Sequence, residues 1–139
     1  MELVPTAHTD GQVVALVRRF ADVRLGKGVV IARDTPNFIA NRIGLFGAAR
    51  ALDALADGYT IEEIDAMTGP AIGRPKSATF RTIDLSGIDV LAEVARNLRQ
   101  QFADDEAERR AFELPSLVDA LVDSGALGEK TGRGFYQKT

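Results

Sequence analysis

The amino-acid sequence predicts a mainly α-helical protein that begins with a short strand–helix–strand unit. Between residues 34 and 122, apolar residues recur at spacings of three and four in several segments, which is the pattern of one helix face. Ahead of these segments, the β-branched run GVVIAR at residues 28–33 is typical of a strand and follows a segment with helical spacing. Together the two patterns indicate few strands and several helices.

The strand–helix–strand unit takes up residues 1–33. MELVPT at its start is a weak strand candidate, and Asp10 can cap a helix that ends at Gly26. GVVIAR then predicts a buried strand. A sheet of two strands leaves exposed edges, which the rest of a sheet normally covers. We therefore expect the remaining strands of this sheet to lie outside the chain.

The longest predicted element is a helix of about six turns that starts near Pro36 and ends at Gly58. Asp34 or Thr35 can cap it, Pro36 suits its first turn, and Gly58 tolerates the left-handed stop. The helix also carries a stripe of small residues, which are Ala40, Gly44, Gly47, Ala48 and Ala51. Because glycine inside a helix costs roughly 1 kcal/mol against alanine, we expect another helix backbone to approach this stripe closely.

Three polar residues are candidates for a site, and each has two interpretations. Asn41 lies in the second turn of the predicted long helix between apolar neighbours. Its amide either ties down a nearby loop or donates a hydrogen bond to a substrate carbonyl. Arg74 and Lys76 lie in the loop PAIGRPKSATF, either as solvated charges or as contacts to an anionic ligand such as a coenzyme A phosphate. Spacing alone favours the structural interpretation in each case.

The rest of the chain predicts shorter helices. Thr60 and Glu63 form a capping-box pattern ahead of one of them. Apolar spacing then continues over residues 88–102, and an amphipathic helix behind Pro115 ends at Gly125.

The composition excludes several classes of protein. The chain has 139 residues, of which 45% are hydrophobic and 27% charged, as expected for a globular domain. A net charge of −3 argues against nucleic-acid binding through a basic surface. Without cysteine, and with a single histidine, the chain has no cysteine or histidine-rich metal site. No apolar run reaches the ~20 residues of a membrane helix, and MELVPTAHTD lacks the features of a signal peptide. We expect a soluble cytoplasmic protein.

Four motifs, in order along the chain, resemble those of the 3-hydroxyacyl-CoA dehydrogenases. MELVPTAHTD resembles the segment that follows the catalytic histidine. DTPNFIANR, at residues 34–42, resembles the D-T-P-G-F-[IV]-x-N-R signature of the C-terminal domain, with Asn37 at the usual glycine, where we expect a helical first turn to tolerate it. DLSGID, at residues 84–89, resembles D-x-x-G-[LI]-D, and the tail from Gly125 resembles G-x-x-G-x-K-x-G-x-G-F-Y. The loop GRPKSATFRT resembles the subgroup fused to an enoyl-CoA hydratase-like domain.

The resemblance implies a helical C-terminal domain at residues 34–139, preceded by residues 1–33 as a remnant of the end of the nucleotide-binding Rossmann domain. It implies that Glu2 is the catalytic glutamate that pairs with the active-site histidine, and that Asn41 is a catalytic residue that contacts the substrate. The histidine and a G-x-G-x-x-G loop have no counterpart here, and His8 does not fit the histidine motif. NAD is therefore implied for the intact enzyme, and no cofactor is expected to bind this chain alone.

Two functions follow as alternatives. The chain is either part of an NAD-dependent 3-hydroxyacyl-CoA dehydrogenase of fatty-acid β-oxidation, inactive alone, or a non-catalytic helical dimerisation module derived from that domain. In the first case an acyl-CoA is the substrate, with Asn41, Arg74 and Lys76 as candidate substrate-binding residues. In both cases we expect self-association as a dimer, because the small-residue stripe and the unpaired strands leave surfaces that a partner would cover. Phe135 and Tyr136 are expected to anchor the tail on the domain.

Overall fold

A computed structural model of the protein describes residues 1–102 and 106–137, in which seven α-helices and two strands are found. The strands are β1 (Glu2–Leu3) and β2 (Val30–Ile31). The helices are α1 (Gly11–Arg19), α2 (Ala40–Ala56), α3 (Ile61–Thr68), α4 (Phe80–Ser86), α5 (Ile88–Gln101), α6 (Glu106–Ala111) and α7 (Ser116–Asp123). A π-helical turn at Phe20–Arg24 extends α1, and 3-10 turns lie at Pro70–Ile72 and Glu129–Thr131. The mainly helical fold behind a strand–helix–strand unit is confirmed.

The chain divides into two compact units, Met1–Ile43 and Gly44–Thr139. The first unit holds the two strands, which pair in parallel with Glu2 opposite Val30. Val30 and Ile31 are 53% and 44% exposed, so the prediction of a buried strand is wrong. The reason is that β1 and β2 form the whole sheet of the described residues. A sheet this narrow cannot enclose its own side chains.

Helix α1 has its predicted cap but an uncovered apolar face. Asp10 Oδ1 accepts a hydrogen bond of 2.7 Å from the Gln12 N–H, which confirms Asp10 as the cap. Leu16, Phe20 and Val23, which give this segment its helical spacing, are each more than half exposed. The amphipathic pattern is therefore real, but its apolar face lies at the surface of the unit.

Helix α2 begins at Ala40 and not near Pro36 as the sequence predicts. Asn37 and Phe38 have φ angles of 59° and 48°, in the left-handed region. A right-handed helix cannot pass through such residues, so the prediction that Asn37 lies in a helical first turn is wrong. The left-handed φ also gives a reason for the glycine that the family signature carries at this position, since asparagine is the next most tolerant residue there.

The second unit has a closed apolar core. Its largest fully buried apolar side chains come from α2, α3, α4, α5 and α7, and are Leu52, Ile64, Phe80, Ile88, Leu98 and Val118. The capping box of α3 is confirmed, since the Glu63 N–H donates to Thr60 Oγ1 at 3.2 Å and the Thr60 N–H donates to the Glu63 carboxylate at 2.8 Å. The hydrogen bonds that the Thr60 N–H and the Thr60 hydroxyl donate to the carboxylate lower the pKa of Glu63.

The small-residue stripe of α2 has two different environments. Ala48 and Ala51 are buried in the core of the second unit. A Cβ added at Gly44 or Gly47 would meet no described atom within 4 Å. The expected close approach of another helix at these glycines is therefore wrong for the part of this chain that the structure describes.

Candidate active-site residues and the anchored C-terminal tail

Glu2 forms the cap of helix α2. Its Oε2 accepts a hydrogen bond of 2.8 Å from the Ile39 N–H, and its Oε1 accepts one of 2.8 Å from the Ala40 N–H. The first N–H groups of a helix have no partner within the helix, and a negative charge is stabilising beside them. The cap therefore comes from strand β1, and not from Asp34 or Thr35 as the sequence predicts.

Asn41 is the residue that follows this capped turn. Its side chain is exposed in the first turn of α2. Glu2 binds the N–H groups of residues 39 and 40, which directly precede Asn41. The two catalytic candidates, Glu2 and Asn41, therefore lie at the same turn of the first unit. An exposed amide at this place can hydrogen-bond to a ligand through both its carbonyl and its NH2 group.

Arg74 and Lys76 belong to the second unit, in the loop between the Pro70–Ile72 turn and α4, and their environments differ. The Arg74 guanidinium donates to Thr79 Oγ1 at 3.0 Å and to the Ala78 carbonyl at 3.4 Å. Lys76 is exposed, and no described residue forms an ion pair or hydrogen bond with its side chain. Arg74 therefore braces the loop, while the Lys76 ammonium is available to a ligand.

A buried carboxylate, Asp84 of α4, anchors the C-terminal tail. It is 1% exposed, its Oδ1 accepts a hydrogen bond of 2.9 Å from the Phe135 N–H, and its Oδ2 accepts one of 2.9 Å from the Tyr136 N–H. The ring of Phe135 packs on that of Phe80 with 4.8 Å between centroids. The predicted anchoring of the tail by Phe135 and Tyr136 is confirmed.

Two glycines make room for this anchor. A Cβ added at Gly134 would lie 2.2 Å from Asp84 Oδ1, and one at Gly128 would lie 2.3 Å from the Asp84 carbonyl oxygen. Neither distance is compatible with a side chain. The glycines of the tail motif and the aspartate of DLSGID are therefore parts of one contact.

A second carboxylate, Asp65 of α3, joins the tail to the start of α4. It accepts hydrogen bonds from the N–H groups of Thr79 at 3.0 Å and Phe80 at 2.8 Å, and from the Tyr136 hydroxyl at 2.9 Å. Burial of the phenol and its hydrogen bond to the negative Asp65 both oppose ionisation, and they raise the pKa of Tyr136. The hydroxyl of Tyr136 acts here as a donor.

Two ion pairs at the surface add to the tail contact. Lys130 Nζ lies 2.5 Å from Asp89 Oδ1, and Arg81 pairs with Glu129. The hydrogen bond from the Lys130 ammonium lowers the pKa of Asp89. All four side chains are about a third or more exposed. Each ion pair therefore stabilises the tail less than the buried Asp84 does.

The matches with known proteins cover the whole chain. A family model described as the C-terminal domain of 3-hydroxyacyl-CoA dehydrogenase matches residues 38–138. The chain belongs to the 3-hydroxyacyl-CoA dehydrogenase family. The 3-hydroxyacyl-CoA dehydrogenase motifs at residues 34–42 and 84–89 and in the tail all lie in or beside the matched range.

Several relatives of this dehydrogenase-family chain have names of the same kind. It is 48% identical over its whole length to a probable 3-hydroxyacyl-CoA dehydrogenase of Deinococcus radiodurans, and 47% identical over 99% of its length to one of Bacillus subtilis. A crystal structure of (S)-3-hydroxybutyryl-CoA dehydrogenase from Ralstonia eutropha matches 99% of the chain with a TM-score of 0.82 and 29% identity. The chain spans 39%, 17% and 47% of the lengths of these three proteins.

Sequence reasoning missed the buried Asp84 and the half-buried Asp65 of the dehydrogenase-family domain. Asp84 is the first residue of the DLSGID motif, three residues ahead of its glycine. This place in the motif was the signal that could have identified it. Asp65 lies between Ile64 and Met67 in α3, where nothing local separates it from a solvated acid. Their partners in the tail are 51 and 71 residues away along the chain, and Asp65 also binds the N–H groups of Thr79 and Phe80, 14 and 15 residues away.

Residues 1–102 and 106–137 contain neither a cluster of metal-ligating side chains nor a helix that could cross a membrane. In those ranges no three His, Cys, Asp or Glu side chains are grouped as ligands of a metal ion would be. No helix there is both long enough and apolar enough to cross a membrane.

Proposed function

We propose that this chain is the substrate-binding and dimerising part of an NAD-dependent 3-hydroxyacyl-CoA dehydrogenase, which oxidises 3-hydroxyacyl-CoA to 3-ketoacyl-CoA in fatty-acid β-oxidation. The observation that supports it best is the joint placement of Glu2 and Asn41 at the start of α2. The proposal keeps residues 34–139 as the helical domain and residues 1–33 as the end of the nucleotide-binding domain, and it places the protein in the cytoplasm.

In this proposal Glu2 and Asn41 have separate roles. Each carboxylate oxygen of Glu2 has a lone pair left after its backbone hydrogen bond. Glu2 can therefore also accept a hydrogen bond from a histidine of the nucleotide-binding half, and so orient that ring and stabilise its charged form. Asn41 hydrogen-bonds to the reacting end of the substrate and holds it in place.

The start of α1, the helix that follows β1, does not fit the pyrophosphate of NAD. The helix that follows β1 begins at Gly11, and the carboxylate of Asp10 already accepts a hydrogen bond from its first turn. A phosphate would need those N–H groups and would be repelled by that charge. We therefore place the cofactor site in a nucleotide-binding half outside this chain, and assign no step through NAD to the residues described here.

The acyl-CoA is proposed to meet the loop of residues 74–76 in the second unit. Lys76 is the better candidate for a coenzyme A phosphate, because its ammonium is exposed and Arg74 is engaged with Thr79 and Ala78. Arg74 is proposed to hold the loop in shape. Its substrate-binding role would then be indirect.

Two surfaces support the proposed partners. The exposed apolar face of α1 and the open strand pair suit a nucleotide-binding half, which would complete the sheet. The exposed Ile43 and Phe46 of α2 lie beside the open positions of Gly44 and Gly47, where a second copy of α2 could approach closely. We propose a dimer through this face of α2.

The test is NADH oxidation with acetoacetyl-CoA, first by this chain alone and then by its mixture with a separately expressed nucleotide-binding half of the family. We expect activity only in the mixture. Asn41→Ala should lower that activity by at least tenfold, and Lys76→Ala should raise KM for acetoacetyl-CoA without lowering kcat. Lys27→Ala, in the loop before β2, serves as the matched control for loss of an exposed lysine.

The alternative function, a non-catalytic dimerisation module, makes a different forecast. If the two halves fold and associate but show no NADH oxidation, the catalytic assignment of Glu2 and Asn41 is wrong. Dimerisation of this chain without any activity in the mixture would then favour the module.

A further inference from the structure

Both carboxylate oxygens of Glu2 accept hydrogen bonds from backbone that precedes Asn41. Each of its two oxygens accepts one hydrogen bond of 2.8 Å, from Ile39 and from Ala40. Glu2 itself is fixed in strand β1, opposite Val30. The side chain therefore connects a strand with a helix start that lies 37 residues further along the chain.

The turn that Glu2 holds is strained. Asn37 and Phe38 are both left-handed, and for a bulky residue such as Phe38 this conformation is a real outlier. Strained backbone of this kind costs on the order of 1–3 kcal/mol and persists only where surrounding contacts determine it. The turn has one internal hydrogen bond, from the Phe38 N–H to the Thr35 carbonyl at 3.1 Å, and the Glu2 carboxylate holds the next two N–H groups.

We propose that Glu2 is a positioning residue for Asn41, in addition to any role toward a histidine. It fixes the peptide planes of residues 39 and 40 and so sets where the Asn41 Cα lies. Since the Cα–Cβ bond of a helical residue tilts toward the helix N-terminus, the Asn41 side chain leans over the turn that Glu2 clamps. The relevance of this positioning to catalysis rests on the proposed function, but the positioning of Asn41 by Glu2 does not.

One consequence is that the histidine contact and the substrate contact of the proposed site both depend on the Glu2 carboxylate. A histidine that pairs with Glu2 and a substrate that pairs with Asn41 are then linked through the same hydrogen-bonded turn. A change of the Glu2 side chain should therefore affect substrate binding as well as proton transfer. If Glu2 only oriented the histidine, the change would affect proton transfer and leave substrate binding as it is.

The experiment is NMR spectroscopy of the full chain with Glu2→Gln. Glutamine keeps the length of the side chain, but it offers one acceptor oxygen and one NH2 donor, so it can serve only one of the two N–H groups. We expect amide exchange at Ile39 or Ala40 to become about tenfold faster, as for the loss of one hydrogen bond to a charged group. The side-chain NH2 signals of Asn41 should shift while the melting temperature stays within a few degrees of wild type.

Glu63→Gln is the matched control, because Glu63 also caps a helix through its carboxylate but lies at α3. It should change the Thr60 amide and leave Asn41 unaffected. The proposal is overturned if Glu2→Gln leaves the amides of Ile39 and Ala40 unchanged, or if they change while the Asn41 signals do not.

A wild-type measurement covers the case in which Glu2→Gln does not fold. Scalar couplings through the hydrogen bonds, from the Ile39 and Ala40 nitrogens to the Glu2 carboxyl carbon, should be detectable, and their absence would overturn the proposal. In the enzyme reconstituted with a nucleotide-binding half, Glu2→Gln should raise KM for acetoacetyl-CoA in wild type and much less in Asn41→Ala. A lack of activity there would count against the proposed function and leave the NMR result standing.

Discussion

The two units of this chain use carboxylates in the same way but differ in how well they are enclosed. In the second unit Asp84 is buried and holds the tail over a closed core. In the first unit Glu2 holds a strained turn, while Leu16, Phe20 and Val23 remain at the surface. The second unit encloses an apolar core of its own, whereas the first unit leaves the apolar face of α1 exposed.

This difference bears on how the domain works. A catalytic side chain must be held to within about half an ångström by packing and hydrogen bonds. For Asn41, which we propose to be catalytic, that support comes from Glu2 of the first unit. The hydrogen bonds that position Asn41 therefore lie within the first unit.

The largest expected effect on stability is in the second unit, at Asp84. Asp84→Ala removes two hydrogen bonds to a buried carboxylate and leaves the N–H groups of Phe135 and Tyr136 without a partner. We expect a loss of about 3 kcal/mol in the free energy of unfolding, measured by urea denaturation followed by circular dichroism. Asp123→Ala, at the exposed end of α7, should change it by less than about 0.5 kcal/mol. Equal effects of the two variants would contradict the anchor.

Gly134→Ala tests the same anchor from the tail. Its Cβ would lie 2.2 Å from Asp84 Oδ1, so the tail must move away, at a cost of roughly 2 kcal/mol in unfolding free energy. Gly47→Ala is the comparison in α2, where the added methyl meets no described atom within 4 Å and should stabilise the monomer by about 1 kcal/mol. Urea denaturation at low protein concentration measures both. A stable Gly134→Ala chain would show that Gly134 is not constrained by Asp84.

Tyr136 should make the second unit sensitive to alkaline pH. Because its pKa is raised in the folded state, its contribution to stability is complete below the usual tyrosine pKa and is lost as the pH rises through the folded-state pKa. Tyr136→Phe should cost about 1 kcal/mol at neutral pH and remove this alkaline loss. The measurement is the urea midpoint between neutral pH and pH ~11. Tyr59→Phe is the control, and an alkaline loss that persists in Tyr136→Phe would exclude Tyr136 as its source.

The smallest effect is expected in the strained turn of the first unit. Asn37→Gly restores the glycine that the family signature carries, and at φ 59° glycine avoids the strain of a Cβ. We expect a gain of less than about 1 kcal/mol in unfolding free energy. Asn37→Ala should instead lose stability, since alanine tolerates this φ less well than asparagine. If both changes had the same sign, the left-handed φ at residue 37 would not be what determines them.

The sequence predicts those features whose partners lie close along the chain. Asp10 caps α1 two residues away, and Thr60 with Glu63 caps α3 within one turn. Gly58, with φ 98°, follows the end of α2 as its conformational freedom suggests. The tail motif also predicts the anchoring role of Phe135 and Tyr136, because two aromatic residues at a chain end have few other ways to be covered.

Features that depend on distant partners could not be predicted in this way. Pro36 favours a helix start, but the left-handed turn and the carboxylate of Glu2 move it to Ala40. The apolar run at residues 28–33 predicts burial only if a full sheet surrounds it. The roles of Asp84 and Asp65 depend on partners in the tail, and Asp65 also binds the backbone at the start of α4. The structure brings Glu2 next to Asn41, and sequence spacing alone gives no reason for that placement.

The most direct test of the account is hydrogen–deuterium exchange of this chain with and without a nucleotide-binding half of the family. If the first unit is the incomplete one, peptides from residues 11–31 should become protected on mixing, while peptides from α4 and the tail around Phe135 stay as they are. Unchanged exchange over residues 11–31, with the two halves shown to be folded and bound to each other, would contradict the account.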